Sequence, residues 1–130
     1  MKKKPAMCQC GSCLPYEACC GRFLSAGDYP MTPQALMRSR YSAYVQGNMG
    51  WIAQTWADET RPQDLRHDDQ VKWLGLKVIA EQLLDENHAT VEFVARGRAG
   101  GEGAFRMHEI SRFERRHGRW VYVDGDLLDK

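Results

Sequence analysis

The sequence predicts an α+β domain, with helices packed on one face of an antiparallel sheet. Apolar residues recur with helical spacing as far as about residue 57, and from residue 71 the period changes to the alternation of strands. The extended runs that follow are joined by turns too short for crossover helices, so neighbouring strands must run antiparallel. A further observation adds an appendage: all five cysteines lie between residues 8 and 20.

Residues 1–29 hold the cysteines, with Gly11, Pro15, Gly21 and Gly27 as punctuation and few apolar residues to bury. A helix is predicted over 33–46, with Thr32 as N-cap, Pro33 at the first helical position and Gly47 as the stop. Leu36, Met37, Tyr41, Tyr44 and Val45 share one of its faces. A second short helix starts at Asn48 and carries Trp51, Ile52 and Trp56; the acidic, polar stretch 58–70 is loop or short helix. Strands are predicted at about 73–82, 89–98, 103–115 and 119–124. The turns between them are Asp85-Glu86-Asn87, Gly100-Gly101-Glu102-Gly103 and His117-Gly118. On the third strand Phe105, Met107, Glu109, Ser111 and Phe113 face one way, and Ala104, Arg106, His108, Ile110 and Arg112 the other.

Composition excludes several classes. With 43% hydrophobic and 27% charged residues the chain is neither disordered nor fibrous. A net charge of +1 argues against strong field-driven binding by the whole molecule. No apolar run approaches the roughly 18–20 residues of a membrane helix. The basic start Met1-Lys2-Lys3-Lys4-Pro5 is followed by no apolar stretch, so no cleaved secretory signal is expected. Cysteines crowded into one short stretch do not make a disulfide framework, which would spread them along the chain. They point to metal–thiolate chemistry in a reducing compartment, and the expected location is cytoplasmic.

The segment reads Cys8-Gln9-Cys10-Gly11-Ser12-Cys13-Leu14-Pro15-Tyr16-Glu17-Ala18-Cys19-Cys20. Cys8-x-Cys10-Gly11-Ser12 followed by Cys19-Cys20 resembles the SEC-C motif, found at the end of the SecA translocation ATPase and in many small proteins. Leu36-Met37-Arg38-Ser39-Arg40-Tyr41-Ser42-Ala43-Tyr44, Thr60-Arg61-Pro62, Trp73-Leu74-Gly75-Leu76 and His108-Glu109-Ile110-Ser111-Arg112-Phe113 resemble the YchJ-like family of bacterial proteins. The resemblance covers nearly the whole chain. It implies a zinc-binding segment over 1–29 joined, over 30–130, to a cone-shaped α+β domain of the nuclear-transport-factor type, and it brings no established enzymatic activity. Carried over position by position, it gives Cys8, Cys10, Cys19 and Cys20 as the metal ligands. Cys13 departs from the pattern, standing where glycine is usual, and is either a spare thiol or a competitor for one ligand position.

Chemistry agrees with one structural Zn²⁺ per chain. Thiolate sulfur suits zinc at about 2.3 Å, four thiolates close the shell, and none of the four histidines falls in the cluster. An iron–sulfur cluster is the alternative, which such short spacing suits less well. Gly11 lets the chain bend around the ion, and amides near Ser12 are candidates to hydrogen-bond the sulfurs. Lys2, Lys3, Lys4, Pro15, Tyr16 and Phe23 are the expected exposed features. In SecA the similar element docks the SecB chaperone and has been linked to ribosomes, so the leading expectation is a non-enzymatic adaptor with a protein partner.

Two other readings stand beside it. Arg40 lies on the apolar side of the 33–46 helix, and Glu109 on the otherwise apolar face of the third strand. A charge facing a core is costly unless paired, so the two are expected to meet, as a buried salt bridge or as the polar floor of a ligand pocket. The pocket version makes the protein a small-molecule binder or enzyme. Arg96, Arg98, Arg106 and Arg112 could instead form a basic sheet face that binds RNA, although no RNA-recognition motif accompanies them. His108 is expected half-exposed on the face opposite Glu109. No catalytic set is identified, and a dimer through the sheet is open.

Overall fold

The computed structural model describes residues 7–128. The cysteine segment contributes a 3-10 turn at Tyr16–Ala18 and the one-turn helix α1 (Gly21–Leu24). Helix α2 (Pro33–Gln46) starts and stops as its sequence dictates. Thr32 Oγ1 accepts the Ala35 amide at 3.0 Å, Pro33 fills the first turn, and Gly47 closes the helix at φ +76. Asn48 caps α3 (Met49–Gln54) by accepting the Trp51 amide at 3.1 Å.

That second helix is shorter than expected and does not carry Trp56. The Thr55 hydroxyl turns back onto the Trp51 carbonyl at 2.7 Å, and the chain then leaves helical geometry. The Tyr122 amide donates to Thr55 O and the Ala57 amide to Tyr122 O, both at 2.8 Å, which ties this segment to the sheet. No regular element is found over residues 58–70.

The sheet is an antiparallel meander of β1 (Val71–Asp85), β2 (His88–Ala99), β3 (Gly103–Arg116) and β4 (Arg119–Leu128), in that spatial order. β1 runs on to Asp85 with irregularities in register, and β4 runs on to Leu128 past Asp124. The extension of β4 has an electrostatic reason. Arg112 on β3 donates to Asp124 at 2.5 Å and to Asp126 at 2.7 Å, so acidic residues that read as a strand end are cross-strand partners.

Helix α2 packs against β1, β2 and β4 and forms the spine of the core. It is buried well beyond its apolar face: Ser39, Arg40 and Ser42 are buried beside Leu36, Met37 and Tyr41. Each of these residues has a polar neighbour. The Trp51 indole donates to Ser39 Oγ at 2.9 Å, Arg40 bonds α3, and Ser42 Oγ lies 3.7 Å from Cys8 Sγ. The cysteines and Phe23 belong to the same core cluster. Phe23, expected on the surface, is 7% exposed, and Pro15 and Tyr16 are half-buried. Lys2, Lys3 and Lys4 lie outside the described residues.

Candidate metal centre and cavity

Cys8, Cys10, Cys19 and Cys20 place their sulfurs within 4.8 Å of one another, and all four residues are buried. Cys10 Sγ and Cys19 Sγ are 3.5 Å apart. Sulfurs on a tetrahedral ion with bonds of about 2.3 Å would stand ~3.8 Å apart, so the donor set fits a single metal ion. Without a cation the thiols must share protons. Hydrogen bonding from Cys20 pulls the Cys10 thiol well below its ordinary range, and the same contact pushes Cys20 up, with burial adding to the rise. Burial also raises Cys19. Four thiolates together therefore require a positive charge at their centre.

Local backbone geometry explains the spacing. Gly11 sits at φ +80, and a Cβ there would lie 2.8 Å from the Leu76 carbonyl oxygen of β1. The loop can turn and lie on the strand only with glycine at this place. Cys13 is exposed, has φ +66, and stands outside the sulfur cluster. Its left-handed backbone accounts for a position that suits glycine.

The surroundings supply hydrogen bonds and positive charge. Ser12 Oγ lies 3.1 Å from Cys19 Sγ, and the Ser12 amide bonds Cys10 sulfur. Arg38 Nη1 donates to the Cys10 carbonyl at 2.6 Å and reaches to 4.0 Å from its sulfur. Arg22 Nε donates to the Cys19 carbonyl at 3.1 Å. A divalent ion with four thiolates carries a net charge of −2, which the two guanidiniums offset. Sequence reasoning missed Arg38, whose only signal was a lone cation between buried positions of α2.

Arg40 and Glu109 are brought to one cavity between α2 and the sheet, but they do not form the direct buried bridge. Among the described residues no ion pair within 4.0 Å joins them. Each is anchored by other groups. Arg40 Nη1 donates to Ile52 O at 3.0 Å and Thr55 Oγ1 at 2.7 Å, and the guanidinium lies over the rings of Trp56 and Tyr122 at 4.9 and 4.6 Å. Glu109 Oε2 accepts the Ser111 hydroxyl at 2.5 Å and the Tyr122 hydroxyl at 3.2 Å. Burial depresses Arg40 and raises Tyr44 and Tyr122, while the charge of Glu109 favours protonation of all three.

The arginine face is more neutralised than its sequence suggests. Arg112 is engaged by two aspartates, and Arg116 by Glu59 and Glu114. His108 is half-buried, with Nε2 2.7 Å from Glu92. Arg96, Arg98 and Arg106 remain exposed, with Arg96 directly opposite Arg106 in the ladder. No helix among the described residues is long and apolar enough to cross a membrane.

Comparison with known proteins converges on one family. Residues 32–125 match the family model described as the YchJ middle NTF2-like domain. A UPF0225 protein of Cupriavidus metallidurans is 53% identical, over 96% of this chain and 92% of that protein. Another from Bordetella pertussis is 49% identical over 98% and 99%. Among solved structures, a SEC-C motif containing protein from Rhodopseudomonas palustris superposes with a TM-score of 0.84 at 35% identity, covering 95% of this chain and all of that one. A second, from Psychrobacter arcticus, shares the fold with a TM-score of 0.72 at 24% identity, over 95% and 84%. With a buried four-cysteine cluster ahead of a helix-covered antiparallel sheet, the chain belongs to the YchJ-like family of SEC-C motif proteins with an NTF2-like domain.

Proposed function

We propose that the protein is a zinc-stabilised, non-enzymatic adaptor whose cysteine loop docks a protein partner. The observation that carries the metal assignment is the buried, all-sulfur donor set. Four thiolates without histidine or carboxylate suit Zn²⁺ and leave no open position for a substrate. Residues 7–28 bring only Phe23, with Tyr16 and Leu24 against it, to the apolar core besides the cysteines, and the ion would add folding free energy by pinning the loop against Ser42 and Leu76. The loop's outer edge supports the docking role. Met7 and Leu14 are 56% and 47% exposed there, next to exposed Cys13, and the lysines Lys2, Lys3 and Lys4 precede them in sequence. A small apolar patch preceded in sequence by basic residues fits an acidic or nucleic-acid-rich assembly such as the ribosome, or an acidic chaperone.

Metal analysis of the purified full chain tests the first half: one zinc per chain is expected. Cys13→Ser keeps that stoichiometry and Cys19→Ser lowers it. Iron in place of zinc, or zinc lost on Cys13→Ser alone, rejects the assignment. Co-sedimentation of the zinc-loaded chain with ribosomes, and gel filtration with a SecB-type chaperone, test the second half. Binding to one of them that Leu14→Asp abolishes is the expected result, and binding to neither defeats the adaptor reading.

A further inference from the structure

The cavity between α2 and the sheet has a volume of about 350 Å³, at the low end of what small-molecule sites occupy. Its walls are mostly aromatic and sulfur-bearing side chains, among them Met37, Trp73, Phe93 and Met107. Its polar groups are few. Arg40 is 6% exposed, yet only Nη1 is hydrogen-bonded; among the described residues Nε and Nη2 have no partner. That unused edge is the side of a guanidinium that takes a carboxylate in two parallel hydrogen bonds. Glu109 has one oxygen held by Ser111 and Tyr122, and among the described residues the other accepts no hydrogen bond. The site therefore offers a donor fork and an anionic acceptor, too far apart to satisfy each other and set in an aromatic wall. The two unpartnered nitrogens are not sealed off, since they are absent from the fully buried unsatisfied atoms among the described residues, while Nη1 and the rings of Trp56 and Tyr122 hold the group in place. Glu109 and Tyr122 are half-buried, so the cavity is reachable from solvent.

The geometry points to this cavity as a binding site for a small zwitterionic aromatic molecule, of the aromatic amino-acid type. Its carboxylate meets Arg40 Nε and Nη2, its ammonium meets Glu109, and its ring packs against the aromatic wall. A simple anion would face the Glu109 charge with nothing to offset it, and a simple cation would face Arg40. A molecule carrying both charges satisfies both ends. The site is independent of the metal centre and uses none of the cysteines.

The test compares phenylalanine, phenylacetate and phenethylamine on the zinc-loaded full chain. Fluorescence of Trp56 and Trp73, which line the cavity, follows binding, with calorimetry as the second measure. Saturable binding of phenylalanine is expected, with each singly charged analogue weaker by about tenfold or more, as for loss of a charged hydrogen bond. Glu109→Gln, which keeps the side-chain volume, should bring phenylalanine down to the affinity of phenylacetate. Ala95→Leu, which fills the cavity from β2, should abolish binding; its melting temperature checks that it folds. Equal binding of all three compounds, or no effect of Glu109→Gln, overturns the zwitterion assignment. Absence of saturable binding by any of them overturns the site.

Discussion

Replacing Gly11 by alanine probes the contact between the cysteine loop and the sheet. Two costs are expected. The first is conformational: φ +80 lies in the left-handed region, where a side chain costs about 1–2 kcal/mol. The second is steric, because the new Cβ would stand 2.8 Å from the Leu76 carbonyl, which is backbone and cannot rotate away. Forcing the loop off the strand is comparable to overpacking a core, roughly 1–3 kcal/mol. Alanine also restricts the unfolded chain, which returns about 0.4–1 kcal/mol. The net expectation is ~2–4 kcal/mol. Gly27 provides the control, since it has φ +87 and a methyl group added there would meet nothing within 4 Å. Gly27→Ala should carry only the conformational part, about 1 kcal/mol. Urea unfolding of both variants with zinc in excess isolates the steric share, because metal loss is then suppressed. Equal losses in the two variants would refute the argument that the loop is seated on Leu76.

Three other outcomes follow from the site geometry. Arg38→Gln should leave the fold intact and weaken retention of the metal against a chelator by about 10–100-fold, because a charge beside Cys10 sulfur is removed. Arg40→Leu should cost about 1–3 kcal/mol through the lost bonds to Ile52 and Thr55, and Glu109→Leu less. As no direct bridge joins them, the double mutant should equal the sum within about 1 kcal/mol, and a large rescue in urea melts would restore the bridge. The exposed Glu59 carboxyl is held down at about 2, chiefly by hydrogen bonds from Arg116. Its folded value is below its unfolded one, so the contact stabilises fully above the ordinary carboxylate range and is lost as pH falls towards 2. An NMR titration of Glu59 should show the low midpoint, and Arg116→Gln should raise it towards the ordinary carboxylate range, with the backbone hydrogen bond holding back part of the rise.

Those parts of the fold governed by local chemistry were legible in the sequence. The ends of α2 follow from Thr32, Pro33 and Gly47, and the meander follows from alternation and short turns. The crowding of cysteines identified the sulfur cluster. Parts that depend on a third element were hidden. Arg40 read as a charge on the apolar side of α2, but nothing local showed that α3 would bond it, or that the Trp51 indole and the cysteine loop would bury Ser39 and Ser42. Phe23 read as exposed because nothing local shows that α1 folds back on the core. Arg40 and Glu109 were matched by charge alone. Thr55, which bonds Arg40, and Tyr122, which bonds Glu109 and lies under the Arg40 guanidinium, are far away in sequence. Asp124 and Asp126 read as a strand end because their partner, Arg112, is on another strand.

The seating of Gly11 on Leu76 also bears on how the molecule stays apart from its own copies. β1 is an outer strand of the sheet, paired on one side only, and such a strand is a template for intermolecular pairing. Its length and its exposed Leu74, Ile79, Leu83 and Leu84 make the hazard greater. Gly11 of the cysteine loop lies against the Leu76 backbone of this strand, and the loop would keep its shape through an ion that its four sulfurs are placed to hold. Metal depletion should therefore show first as self-association, in light scattering at temperatures where the circular dichroism of the sheet is still intact. On this view the bound ion is a guard against aggregation as well as a brace for the loop.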